Sequence, residues 1–187
     1  HSYRELPLRV AEYGFVYRHE LSGTLHGLMR VRGFTQDDAH IYCTPEQLVA
    51  EIGGVVDLIK KLYSYYNFPS ITFAIATRPE KAMGTPELWE KATQALKDAL
   101  TERDIEFHIK EGEGAFYGPK IEINIEDAMG RLWQCGTVQV DFFLPQNFKM
   151  EYIDSDQSRK TPIMIHRALY GSIERFMAIL IEHYKGR

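Results

Sequence analysis

"RVRGFTQDDAH", Arg30 to His40, has the composition of a β-strand that borders a site. Successive side chains of a strand point to opposite faces, so every second residue shares a face. In this stretch one face carries Arg30, Arg32, Phe34, Gln36, Asp38 and His40. Such a face packs poorly into a core, since each polar group buried without a partner costs about 1 to 3 kcal/mol. We therefore predict that it lines a binding or catalytic site.

The composition is that of one globular domain of ordinary size. The chain has 187 residues, of which 44% are hydrophobic and 12% aromatic, enough to bury a sizeable core. No apolar run approaches the roughly 18 residues of a membrane span, so we expect no membrane partner. The formal net charge of −4 argues against general nucleic-acid binding. Cys43 and Cys135 form no C-x-x-C pair, which predicts a reducing compartment and no disulfide.

Three segments have the 3.6-residue apolar period of amphipathic helices. The first follows Thr44 and Pro45, and Gln47 at the third helical position completes a capping box. The second begins in the same way at Thr85-Pro86, and the third runs from about Ser172 to Tyr184.

Other segments alternate with the period of two that is typical of strands. They are Ile121–Ile125, Val138–Phe143 and the apolar run Ile71–Ala76, together with a strand that leads through a Ser22-Gly23 turn into the opening stretch. This order of elements predicts an α+β fold, a mainly antiparallel β-sheet with flanking helices.

Arginines are concentrated around the opening stretch. Arg18, Arg30 and Arg32 flank one hairpin, and Arg175 lies in the first turn of the last helix. Because a guanidinium can bind phosphate through two parallel hydrogen bonds, the set indicates a polyphosphate site. A single arginine in such a position is more often a solvated surface charge, and a single strand Phe such as Phe34 is more often a core residue than a base-stacking one.

Two histidines are candidates for a metal site. His40 shares its face with Asp38, and His166 lies in a predicted strand before the last helix. Two neutral imidazoles can hold Zn²⁺, but a zinc site needs a third protein ligand and none is evident, so a structural role stays open for both. The loop GEGAFYGPK lacks the spacing of a phosphate loop, and we expect it to bring Tyr117 and Lys120 to a small ligand.

These motifs together resemble the class II aminoacyl-tRNA synthetases. YRHE (Tyr17–Glu20) with its hairpin resembles motif 2 of that class, and HRALYGSIERFMAILIEHY resembles motif 3. Within the class, QDDAH, GEGAFYGPKIE, WQCGTVQVDF and MIHRA are similar to the threonyl-tRNA synthetases. The resemblance covers nearly the whole chain and implies the class II catalytic-domain fold.

The resemblance implies that L-threonine is activated by ATP, bound with Mg²⁺, to threonyl-adenylate and then transferred to the 3′-terminal ribose of tRNA(Thr). It implies catalytic roles for Arg18, Arg175 and Lys120. It also implies that the α-phosphate meets Arg18, the adenine amino group Glu20 and the adenine ring Phe34. The same resemblance assigns the γ-phosphate to Arg30 and Arg175, and the ribose to Gln134.

For the amino acid, the resemblance implies contacts with Gln36, Asp38, Tyr117, Lys120 and Gln139. It further implies a Zn²⁺ ion that is held by His40, by His166 and by a Cys upstream of His1, since neither Cys43 nor Cys135 fits the family's position. Gln134 and Gln139 fall on opposite faces of a regular strand, so we predict a β-bulge near Gly136 if both line the site.

By the same comparison, residues 1–187 are part of an aminoacylation catalytic domain without motif 1, an editing domain or an anticodon-binding domain. The chain begins with His1 rather than Met, so we expect it to be a piece of a longer protein. The family implies a homodimer at full length and a cytoplasmic location, with an organellar form left open. Two alternatives also stay open: a synthetase-like binding or regulatory module without turnover, and an unrelated two-histidine metal hydrolase.

Overall fold

The computed structural model of the chain describes residues 1–186. Over these residues the chain forms one seven-stranded sheet, one two-stranded sheet and four α-helices. The strands are β1 (Leu8–Tyr17), β2 (Gly33–Cys43), β3 (Ile71–Ala76), β4 (Phe107–Lys110), β5 (Lys120–Glu126), β6 (Leu132–Asp141), β7 (Tyr152–Ile153), β8 (Arg159–Lys160) and β9 (Ile163–Ala168). The helices are α1 (Leu48–Ser64), α2 (Pro86–Thr101), α3 (Phe143–Asn147) and α4 (Ile173–His183), with 3-10 turns at Tyr3–Glu5 and Pro45–Gln47.

The large sheet has the strand order β1-β2-β9-β6-β5-β3-β4. Every neighbouring pair in it is antiparallel except β3 and β4, which are parallel. The predicted α+β fold with a mainly antiparallel sheet is therefore confirmed. Among residues 1–186, none of the helices combines the length and the apolar character that crossing a bilayer requires.

One face of the sheet forms the core with the helices. Ile52, Val56 and Ile59 of α1 are fully buried in the same apolar cluster as Ile121 and Ile123 of β5. The helical segment begins at Pro45 as the sequence predicts, but its first turn is a 3-10 turn in which the Thr44 N–H donates to Oε1 of Gln47 (3.0 Å), and α1 itself begins at Leu48. The helices thus cover one face, and the opposite face of the central strands is left for polar residues.

The opening stretch is a strand only in its second part, so one expectation was wrong. Strand β2 begins at Gly33, and Arg30 and Arg32 belong to the loop before it. That loop is closed by a bond from the Arg18 N–H to the Arg32 carbonyl (2.8 Å) and by a bridge between His26 and Arg30. The hairpin therefore turns through residues 18–32 rather than tightly at Ser22-Gly23.

The predicted bulge in β6 is confirmed. Ile123 of β5 pairs with Gly136, but the next residue, Asn124, pairs with Gln134, so Cys135 is the extra residue. A Cβ atom at Gly136 would lie 3.0 Å from the Cβ of Ile123, which explains the glycine at this close approach. The extra residue reverses the alternation of β6 and brings Gln134 to the face that carries Gln139.

Candidate functional site

A cavity of about 520 Å³ opens on the polar face of the sheet. Its volume lies in the range of small-molecule sites. Except for His40 and Arg32, every residue predicted for the site lines it, namely Arg18, Glu20, Arg30, Phe34, Gln36, Asp38, Tyr117, Lys120, Gln134, Gln139, His166 and Arg175. His40 borders it through the ring of His166, 4.8 Å away between ring centroids. Arg32, in contrast, is not among the lining residues described by the structure.

Strand register sets the order of these side chains. His40 pairs with His166, His166 with Gln139, and Gln139 with Lys120, across four neighbouring strands. Directly paired residues point to the same face, and neighbouring strands lie about 4.8 Å apart. The four side chains therefore form one row, with the imidazoles at one end and the ammonium group at the other.

At the arginine end of the cavity, backbone carbonyls hold the guanidinium of Arg175. Arg175 donates from Nε to the Met29 carbonyl and from Nη1 to the Gln134 carbonyl, each at 2.7 Å. Burial lowers the pKa of the Arg175 guanidinium, and the charges of Arg30 and Arg18 act in the same direction. Such a concentration of partly desolvated positive charge is suited to an anionic ligand.

Two further contacts define this end of the cavity. The guanidinium carbon of Arg18 lies 5.0 Å from the ring centroid of Phe34, which is buried. Glu20 pairs with Arg30 through Oε2, at 2.8 Å from Nη2 and 3.0 Å from Nε. The two ends of the 18–32 loop are thereby joined beside the cavity, and the Glu20 carboxylate is already engaged by a neighbouring cation.

The imidazole end is organised by a buried carboxylate. His166 Nε2 lies 2.8 Å from Oδ2 of Asp141, whose Oδ1 accepts from the N–H groups of Phe143 (2.7 Å) and Leu144 (3.0 Å) at the start of α3. Burial lowers the pKa of His40, although Asp38 acts in the opposite direction. The neutral imidazole that this favours is the form that binds metals.

The donor set fits a zinc site in part. A histidine whose second ring nitrogen is held by a carboxylate is the usual arrangement around bound zinc. However, residues 1–186 contain no cluster of three His, Cys, Asp or Glu side chains that could hold a metal ion. The chain therefore supplies two imidazoles and their carboxylate support, and a third ligand would have to come from elsewhere.

Around the middle of the row, Gln139 donates from Nε2 to the Gly118 carbonyl (3.0 Å), and the ring of Tyr117 lies 5.6 Å from that of His166. Burial raises the pKa of the Tyr117 hydroxyl. The loop of Gly112–Lys120 thus contacts the row through Tyr117 and Gly118. Lys120 pairs with Glu122 at 2.7 Å.

Sequence reasoning missed three carboxylates that organise the cavity. Asp37 is buried and accepts from the backbone N–H groups of Leu169, Tyr170 and Gly171 at 2.7 to 3.1 Å, which fixes the segment before α4. The sequence feature that could have revealed Asp37 is its position as a carboxylate on the apolar face of β2. Asp141 and Glu122 could have been found by continuing the alternation from Gln139 and Lys120 by one step.

The chain has clear relatives among known proteins. Residues 1–184 match the family model of the tRNA synthetase class II core domain (G, H, P, S and T). The fold is thus that of a class II aminoacyl-tRNA synthetase core.

Individual relatives indicate which synthetase within this class the chain resembles. The chain is 57% identical over 187 residues to a threonine–tRNA ligase of Acidithiobacillus ferrooxidans, covering 100% of the chain and 29% of the relative. It is 58% identical over 185 residues to a chloroplastic/mitochondrial threonine–tRNA ligase of Arabidopsis thaliana, covering 99% of the chain and 28% of the relative. The solved RNA binding domain of threonyl-tRNA synthetase from Cryptosporidium parvum superimposes with a TM-score of 0.94 at 45% identity, covering 99% of the chain and 46% of that structure. The chain belongs to the threonyl-tRNA synthetase family and spans about 29% of the length of its curated bacterial relatives.

Proposed function

We propose that this chain is part of the aminoacylation domain of a threonine–tRNA ligase. It activates L-threonine with ATP to threonyl-adenylate, releases pyrophosphate and passes threonine to the terminal ribose of tRNA(Thr). The observation that carries the proposal is the cavity, where side chains from both ends of the chain meet: Arg18 and Arg175, for example, line the same space.

The arginine end suits the triphosphate of ATP. The cavity presents Arg18, Arg30 and Arg175 to a single space of about 520 Å³, and Phe34 offers an aromatic ring beside them. Magnesium bound with the nucleotide would neutralise part of the remaining phosphate charge. Catalysis in this proposal comes from positioning and charge stabilisation, with Arg18 beside the phosphorus that the threonine carboxylate attacks.

The imidazole end suits the amino acid. We assign Gln36, Asp38, Tyr117, Lys120 and Gln139 to threonine, and His40 and His166 to a zinc ion that would bind the substrate's amino and hydroxyl groups. A site that binds the hydroxyl rejects valine, because the metal and Asp38 would be left unpaired.

The remaining assignments rest on the family. We propose a homodimer for the full-length protein and tRNA(Thr) as the second substrate. The location proposed is the cytoplasm, although the relatives include a chloroplastic/mitochondrial ligase.

The test replaces the corresponding segment of the Acidithiobacillus ferrooxidans ligase with this chain and measures threonine-dependent exchange of labelled pyrophosphate into ATP. We expect the hybrid to exchange at a rate within about tenfold of the parent ligase, and His40→Ala and Arg175→Ala to reduce exchange by at least about a hundredfold. Exchange that is lost in a folded hybrid, or that ignores both substitutions, would sink the proposal. Binding of ATP without exchange would instead support a module without turnover.

A further inference from the structure

The ammonium group of Lys120 is part of a charged cluster that extends away from the cavity. Glu122 forms two ion pairs, one through Oε1 with Nζ of Lys120 and one through Oε2 with Nζ of Lys110, each at 2.7 Å. The Glu122 side chain is 6% exposed, whereas those of Lys120 and Lys110 are 20% and 30% exposed. Lys120 lines the cavity and Lys110 does not, so one carboxylate links a cavity residue to a residue outside it.

The register of three strands explains how these side chains meet. Ala76 of β3 pairs with Lys120 on one side and with Lys110 on the other, and Ala74 pairs with Glu122. Because strands are about 4.8 Å apart, the two lysine backbones flank β3 at roughly 10 Å. Ala74 and Ala76 are fully buried and small, and they leave the space above β3 in which the long side chains meet.

The charges of the cluster are coupled through that carboxylate. Burial by itself opposes ionisation of Glu122, but its hydrogen bonds to Lys110 and Lys120 outweigh burial and lower its pKa. The cluster therefore holds one carboxylate between two ammonium groups, with a net positive charge. Each lysine is stabilised by Glu122 and repelled by the other lysine.

We propose that Glu122 is a positioning residue that holds the Lys120 ammonium at the edge of the cavity, and that Lys110 weakens this hold by occupying the second oxygen. The role of Lys120 toward threonine rests on the proposed function, whereas the pairing within the cluster does not.

The proposal predicts that Lys110→Met makes the Lys120 amine less reactive both in the unmodified chain and in the Glu122→Gln background. Glu122→Gln leaves two ammonium groups close together without a counter-charge, so Lys120 releases its proton more easily. Lys110→Met leaves the whole carboxylate to Lys120, which then keeps its proton more firmly. In the double variant both the carboxylate and the repulsion are gone, so Lys120 returns toward its behaviour in the unmodified chain. A general loss of stability would instead expose Lys120 and speed its reaction in every variant.

The experiment measures acetylation of Lys120 by N-hydroxysuccinimidyl acetate near neutral pH, resolved by peptide mass spectrometry. The neutral amine attacks the ester carbonyl and N-hydroxysuccinimide leaves, so the rate follows the fraction of neutral amine. We expect about a threefold to tenfold faster reaction in Glu122→Gln. The reaction should be slower by a similar factor in Lys110→Met and within about twofold of the unmodified chain in the double variant.

Lys60, which is exposed on α1, serves as an internal reference for reagent and pH. If Glu122→Gln does not fold, the acetylation rate of Lys120 in Lys110→Met still tests the proposal, because that substitution alters only a partly exposed side chain. Lys120 acetylation that is equal in all folded variants, or faster in Lys110→Met, would overturn the proposal.

A second arm separates this proposal from the proposed function. In the hybrid ligase we expect Glu122→Gln, which removes the carboxylate that positions Lys120, to raise the KM for threonine by about threefold while the KM for ATP stays within twofold. A change in acetylation without any change in the threonine KM would support the Glu122 cluster and overturn the threonine role of Lys120. Loss of exchange in every hybrid would count against the proposed function and leave the acetylation result as the measure of the cluster.

Discussion

His166 Nε2 lies 2.8 Å from Oδ2 of Asp141, and this carboxylate is completely buried. An ionised carboxylate can only accept, so the Nε2 of His166 donates in this contact, and in a neutral imidazole Nδ1 would be the nitrogen left to bind a metal. The other oxygen of Asp141 is committed to the start of α3 through the N–H groups of Phe143 and Leu144. Asp141 therefore links the sheet to α3 and also influences which ring nitrogen of His166, a candidate metal ligand, carries the proton.

The first prediction concerns Asp141→Asn in the hybrid ligase. The amide oxygen can still accept at the start of α3, but the amide NH₂ would face Nε2 and move the proton to Nδ1. We expect zinc affinity to fall about tenfold to a hundredfold, as measured by competition with a chelator. The exposed Asp104→Asn is the control and should leave zinc affinity unchanged. Unchanged affinity in Asp141→Asn would show that His166 does not bind zinc through Nδ1.

Zinc retention by the 187-residue chain itself is a second prediction. With His40 and His166 as the pair and no third ligand among residues 1–186, we expect the purified chain to lose zinc readily to a chelator. The measurement is metal content before and after dialysis against the chelator. Tight, stoichiometric zinc in the chain would mean that a ligand within it has been overlooked.

A third prediction concerns Arg175. Arg175→Ala removes both donors to the Met29 and Gln134 carbonyls and a charge from the cavity. We expect the KM for ATP in the hybrid to rise about tenfold to a hundredfold, and Arg175→Lys to restore little of it, because an ammonium group lacks the guanidinium's fixed pair of donors. Arg159→Ala, on the exposed strand β8, is the control. Full rescue by lysine would show that charge alone suffices there.

A fourth prediction uses two glycines. At Gly118 a Cβ atom would collide with the Val140 carbonyl, whereas at Gly54 in α1 no heavy atom lies within 4 Å of it. We expect Gly118→Ala to lower the free energy of unfolding by about 2 kcal/mol or more, and Gly54→Ala to raise it by about 0.5 to 1 kcal/mol. Chemical denaturation of the chain measures both. Equal stability of the two variants would contradict the close approach of the loop to β6.

A fifth prediction concerns acid stability. Burial opposes ionisation of Asp127, but hydrogen bonds from Trp133, Arg131 and the Met129 N–H lower its pKa to about 2. Because the folded pKa lies below the unfolded value of about 3.9, the contribution is present above that value and is lost as the pH falls toward 2. The shift corresponds to about 2 kcal/mol.

Urea unfolding of Asp127→Asn from pH 7 to pH 2 checks this. The variant should be less stable by about 2 kcal/mol at neutral pH, and the difference should shrink below about pH 4. Trp133→Phe removes one donor and should give a smaller change of the same sign. A difference between the variant and the unmodified chain that stays constant down to pH 2 would refute the low pKa.

Local patterns predicted the regular elements well where the period was long enough to be detected. The apolar run Ile71–Ala76 is β3 with the same bounds, and the capped helix after Thr44 is present. Strand β4, at Phe107–Lys110, was missed because four residues at the sheet edge show no clear period. Arg30 and Arg32 were placed on the strand because alternation was continued into a loop whose closure depends on Arg18.

The carboxylates were missed for a different reason. The partners of Asp37 lie more than 130 residues further along the chain, and those of Glu122 lie partly on another strand. No local pattern encodes such pairings, since they arise only when β2, β9 and α4, or β5, β3 and β4, come together. The cavity residues were found because motifs mark them, whereas alternation could at most have placed Asp141 and Glu122 on the same face, and their pairings were visible only in three dimensions.

The row from His40 through His166 and Gln139 to Lys120 has a consequence for how this sequence can change over evolutionary time. Adding or deleting one residue within any of the four strands would turn every later side chain of that strand to the opposite face. Substitutions alter one member of the row, but a change in length would remove a whole strand's contribution at once. We therefore expect natural insertions and deletions to be confined to the connections, while the four strands, with the extra residue Cys135 in β6, keep a constant length.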